Sequence, residues 1–89
     1  MRFLAFVSQQ SESCEVFKGF APEFETQYGI KFDYVDIEKP YNHRLVDGYR
    51  IDTVPSIVCV DDNEQTKGIL LMSEQPNKVV LNDFLKVFA

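Results

Sequence analysis

Residues Arg2–Val7, RFLAFV, are apolar after the opening arginine. An unbroken apolar run of this length, followed by the polar stretch SQQSES, reads as a strand buried on both faces. A sheet face is buried only against another element, so such a strand calls for covering layers above and below it. That requirement excludes a sheet with one solvated face. The chain has 89 residues, which fits one domain spanning 1–89 with a modest core.

The remaining pattern supplies the covering layers. Val16, Phe17, Phe20, Phe24 and Tyr28 recur at helical spacing with Glu15, Lys18, Glu23 and Glu25 between them, the signature of an amphipathic helix. Ser13 is its expected N-cap and Gly29 its expected stop. Pro22 falls inside, where it removes a hydrogen bond and is expected to bend the helix. IKFDYVDI, residues 30–37, alternates well enough for a strand. EKPYNHRLVDGYRI reads as a loop and a short helix over about residues 42–49. SIVCV is a β-branched strand, DDNE a turn and TKGILLM a further strand, so the two strands form a hairpin. SEQPN is a loop, in which Ser73 and Glu74 are candidates to cap the next helix or meet a ligand. KVVLNDFLKVF closes the chain as a helix with Val80, Leu81, Phe84, Leu85 and Phe88 on one face.

The order is β-α-β-α-β-β-α. The first strand–helix–strand unit implies a right-handed parallel crossover, and the hairpin adds antiparallel strands. The expected class is α/β, a four-stranded mixed sheet with helices on both faces.

Charge narrows the partners. The net charge is −5 and no Lys/Arg cluster is present, which argues against nucleic acid and against an acidic membrane surface. No apolar run is long enough to span a bilayer. The opening segment is too short for a signal-peptide core. With two cysteines, the expectation is a cytoplasmic monomer with reduced thiols. His43 is the only histidine, and no Cys/His/acid cluster has ligand spacing, so no metal site is expected. Asp61 and Asp62 are turn residues. Cys59, inside an apolar strand, reads as a small core residue.

Two local features narrow the class further. YRIDTVPSIVCV holds a Thr, an aliphatic residue and a Pro before an apolar strand. CEVFKGFAP holds a cysteine, then Lys18, then Ala21-Pro22. Together they resemble thioredoxins and glutaredoxins. The resemblance implies a thioredoxin-like fold over essentially the whole chain, a cis bond before Pro55, and Cys14 at the first position of the family's Cys-x-x-Cys site. Phe17 then stands at the second position, giving Cys-x-x-Phe. Thr53, Val54 and Pro55 are the implied substrate-binding segment. Cys59 lies several extended residues beyond Pro55 and out of disulfide reach of Cys14.

A competing register counts from the first strand with a short loop. It makes Ser11-Glu12-Ser13-Cys14 the site, with Ser11 at the first cysteine position and Cys14 at the second. The register from Pro22 is preferred because it accounts for Lys18, Ala21 and Pro22 at once.

The first helical turn offers unpaired N–H groups and the positive end of the dipole, which stabilise a thiolate. Glu12 and Glu15 oppose this and Lys18 offsets part of it. The strand before the motif lacks the family's buried acid, and ILLMSEQP does not match the glutathione-binding stretch of glutaredoxins. Two readings follow. One is monothiol thiol-disulfide exchange through Cys14, with protein or glutathione thiols and disulfides as partners, glutathione as co-substrate and no resident cofactor. The other is a non-catalytic interaction module that keeps the groove beside Pro55 for docking.

Overall fold

The computed structural model describes residues 1–72 and 76–89. Ser73 and Glu74, and with them the ligand contact expected there, lie outside the described residues. Four strands form one sheet in the order β2-β1-β3-β4. They are β1 (Arg2–Val7), β2 (Phe32–Asp36), β3 (Ser56–Val60) and β4 (Thr66–Leu71). β1 pairs parallel with β2 and antiparallel with β3, and β3 pairs antiparallel with β4.

The apolar run is thus central. Phe3, Ala5 and Val7 face one side with Ile57 and Cys59. Leu4 and Phe6 face the other with Val58 and Val60. This is the period-2 alternation of a strand buried on both faces.

Helix α1 (Glu12–Tyr28) and helix α3 (Lys78–Phe88) cover the first side, and the shorter α2 (His43–Tyr49) covers the second. α1 is capped by Ser11, not by Ser13. Ser11 has the extended backbone an N-cap requires (φ −102°, ψ 123°), and its hydroxyl accepts the N–H of Cys14. Glu12 and Glu15 in the first turn suit the positive end of the helix. Gly29, at φ 63°, ends it in the left-handed conformation that glycine tolerates. The helix is continuous through Pro22, whose ring is exposed. Phe17, Phe20 and Phe24 are buried as the periodicity requires, but Val16 is exposed.

β2 is shorter than the alternation implied, starting at Phe32 because residues after Gly29 serve the helix end: Ile30 donates to the Glu25 carbonyl and Phe32 to the Glu25 carboxylate. A 3-10 turn over Pro40–Asn42 leads into α2. α3 is capped by Asn77, whose side chain accepts the N–H groups of Val79 and Val80. Leu81 and Leu85 are its buried residues, while Val80 is exposed at the first turn.

Candidate functional site

The strand register fixes where the site is. Phe6 pairs with Ser56 across β1 and β3. The chain that leaves β1 at Ser8 and the chain that enters β3 through Thr53, Val54 and Pro55 therefore meet at one end of the sheet. α1 starts from that same end. Cys14 and the segment before β3 share this end, as the two motifs imply.

Cys14 is the third residue of α1 and fully buried. Its N–H donates to Ser11 Oγ at 3.3 Å, and its Sγ accepts the N–H of Ser8 at 3.3 Å. Phe17, one turn on, is also fully buried, with edge-on rings of Phe20, Phe32 and Tyr34 around it. Ser11 is the half-buried cap of α1 and Cys14 the buried residue three positions later. α1 starts two residues earlier than a cap at Ser13 would place it. Three residues are close to one helical turn, so Cys14, Phe17, Ala21 and Phe24 fall on the same buried face.

Sequence reasoning missed Ser8 and Glu38. Ser8 is buried, its hydroxyl donates to a Glu38 carboxylate oxygen, and it accepts the N–H of Gln10. Gln10 Nε2 reaches the other Glu38 oxygen at 3.4 Å, and Gln9 Nε2 reaches Asp36 at 3.2 Å. The polar stretch after β1 is thus tied to the end of β2, a contact between segments about thirty residues apart that only the parallel pairing creates. No local signal marked it. Lys18 lies over the Tyr34 ring, 5.9 Å from its centroid.

On the other side of the site, the Val54–Pro55 peptide bond is cis. Pro55 is buried and its carbonyl accepts the N–H of Met72 at 3.0 Å. Thr53 is exposed, and its carbonyl accepts the Ser56 hydroxyl at 2.5 Å. Val54 is half-buried and packs against both core clusters. Among the described residues, Val54 makes no backbone hydrogen bond.

Cys59 is fully buried on β3, and burial pushes its thiol up from the ordinary value. Both cysteines are free. His43 is exposed at the start of α2. Among the described residues no group of three metal-ligating side chains is present, and no helix is long and apolar enough to cross a membrane.

No family model matches the sequence, and no curated protein matches it. Solved structures do. Thioredoxin from Plasmodium falciparum superimposes with a TM-score of 0.82 at 16% identity, over 99% of this chain and 85% of that one. The thioredoxin pre-protein of Schistosoma mansoni gives 0.81 at 18%, over 98% and 77%. Thioredoxin O1 from Arabidopsis thaliana gives 0.79 at 16%, over 98% and 76%. At these identities the likeness is one of fold.

Proposed function

We propose that this chain, which has the thioredoxin fold, is a protein-interaction module that docks an extended peptide segment along Thr53, Val54 and Pro55. The observation that carries the reading is the half-buried Val54, whose peptide groups have no backbone partner among the described residues. Unpaired N–H and C=O groups on an extended segment are what a bound strand uses for affinity, with neighbouring side chains supplying specificity. The Cys14 thiol at the same end of the sheet is fully covered, so the open feature there is backbone, not sulfur. The partner is an unstructured stretch of another protein in the cytoplasm, with no nucleic acid and no membrane.

The test uses a randomised, cysteine-free peptide library displayed on phage. Selected peptides should shift the amide resonances of Thr53 and Val54. Their binding should survive Cys14→Ala and fall with Val54→Ala and with Thr53→Asp, which lies outside the core. Binders that are lost in Cys14→Ala, or that shift a different surface, overturn the reading.

Monothiol exchange through Cys14 is the second reading. Its support is the Ser8 N–H directed at the sulfur, in the first turn of a helix. Formation of a mixed disulfide requires the first turn of α1 to open. It would appear as a glutathione adduct in the mass spectrum, abolished by Cys14→Ser and retained in Cys59→Ser.

A further inference from the structure

Arg2 opens β1 at the end of the sheet opposite the segment of Thr53, Val54 and Pro55, and its partner across the ladder is Val60. Side chains along a strand alternate, so Arg2 lies on the same face as Leu4 and Val60, the face that α2 covers. α2 has seven residues and is about 10 Å long, whereas the six residues of β1 run about 20 Å. The helix cannot cover the whole face. Beside it lies a cavity of about 150 Å³, lined by Arg2, Leu4, Leu45, Tyr49, Val60 and Glu64.

The floor of the cavity is apolar, with Leu4 and Val60 buried, and its two charged walls are not paired with each other. Arg2 gives its Nε–H to Asp33 at 3.2 Å, which leaves the terminal amino groups of its fork for another acceptor. Glu64 makes no ion pair among the described residues. It lies in the turn between β3 and β4, where its N–H donates to the Asp61 carbonyl at 2.9 Å and its φ is 61°. Glycine takes that left-handed conformation without steric cost, and a larger residue held in it points to a use for the side chain. The turn therefore carries a glutamate where the backbone suits glycine better, and the carboxylate it presents has no counter-ion.

We propose that this cavity binds a free α-amino acid with an aromatic side chain. The carboxylate of the ligand takes the open fork of Arg2, and its ammonium takes the carboxylate of Glu64. Both are charge-assisted hydrogen bonds. Opposite charges that line one cavity and leave each other unpaired are complementary to a ligand that carries both signs. A simple anion would meet Glu64, and a simple cation would meet Arg2. A zwitterion has no net charge, so the −5 of the chain does not repel it. The side chain of the ligand lies on Leu4 and Val60, against Leu45 and Tyr49 of α2. The space matches one ring, since a cavity of about 150 Å³ holds benzene. Tyr49, whose ring meets Phe6 edge-on at 5.9 Å, supplies an aromatic wall.

Binding also completes the packing of α2. Leu45 is 39% exposed, and no residue of the helix is fully buried. A ligand ring against Leu45 and Tyr49 adds apolar contact where the chain itself provides little. A ligand that binds the closed helix and not the open one shifts the balance toward the closed form, so occupancy should slow the opening of α2 from the sheet.

Nuclear magnetic resonance titration with L-phenylalanine to about 10 mM, a range suited to a ligand of so few atoms, tests this. The expected result is saturable shifts of the Leu4, Leu45, Tyr49 and Val60 amides, with slower amide exchange in α2. 3-Phenylpropionate, which lacks the ammonium, and 2-phenylethylamine, which lacks the carboxylate, should each bind about tenfold more weakly, the loss of one charged hydrogen bond. Arg2→Gln and Glu64→Gln should each weaken L-phenylalanine by about the same factor. Glu64→Gly, which suits the backbone of the turn, should melt no lower than wild type and still lose binding, so lost affinity is separated from lost fold. No saturable shift at these amides, a singly charged probe that binds as tightly as L-phenylalanine, or binding that both glutamine variants leave unchanged overturns the inference.

Discussion

The sulfur of Cys14 accepts the backbone N–H of Ser8, and Ser8 is itself held by Glu38 across the parallel β1–β2 pair. The cover on the thiol is therefore tied to a carboxylate on another element. Iodoacetamide should leave Cys14 unmodified in the folded protein. Glu38→Ala should raise its alkylation rate by about tenfold, because a hydrogen bond to a charged group contributes on the order of 1.5 kcal/mol. Cys59, buried elsewhere in the sheet, should not change and serves as the internal control. Reaction of wild-type Cys14 at the rate of a free thiol would show that no such cover exists.

Ser11 and Phe17 separate the two registers. Ser11 Oγ sits at the helix cap within hydrogen-bond reach of the Cys14 amide, so Ser11→Cys places a second sulfur beside the first turn at the spacing of a dithiol site. The variant should fold, lose two hydrogens on oxidation, and reduce a protein disulfide in the presence of dithiothreitol. Phe17→Cys should do none of these. It empties a fully buried ring site and should cost about 3 kcal/mol or more, measured by urea denaturation. Turnover by Phe17→Cys, and none by Ser11→Cys, would select the register counted from Pro22.

The sequence made the sheet legible through RFLAFV, and it made α1 legible through its phenylalanines, because burial period is written in residue type. The cap of α1 was harder. SQQSES contains three serines, and the choice between Ser11 and Ser13 as cap depends on which one the end of β1 leaves extended. The motif around Pro22 fixed the phase of the helix but not its starting residue, since adding a turn preserves the phase. Thr53, Val54 and Pro55 were singled out through their order in the sequence. Ser8 and Glu38 were not, because their contact is made by strand pairing and neither residue type announces it.

Asp61 should give the hairpin a pH-dependent contribution. Its carboxyl is held below the ordinary carboxylate range, chiefly by the N–H of Gln65 and further by Asn63 and Lys67. A depressed value means that the stabilisation is complete above the unfolded value of about 3.9 and fades as pH falls through the lower folded one. Urea midpoints of wild type and Asp61→Asn should differ by a constant amount at neutral pH and converge in acid. A difference that stays constant down to the acid limit would remove Asp61 from this role.

Gly68 is required for space. A Cβ there would meet the Phe88 ring at 2.5 and 2.6 Å. Gly68→Ala should lower stability by about 1–3 kcal/mol, as overpacked sites do. Adding Phe88→Leu should recover part of the loss. Equal stability of Gly68→Ala and wild type in thermal melts would show that the ring yields freely.

The sheet is clad unevenly. On one side lie helices of 17 and 11 residues with seven buried side chains between them, while α2 has seven residues and buries none fully. α2 is therefore the piece that lifts away at the lowest free energy, well before the molecule as a whole comes apart. Water would reach Leu4, Phe6 and Val58 by that route, on a timescale set by the opening of a single short helix. The protein has a slow side and a fast side, and the boundary between them is the plane of its own sheet.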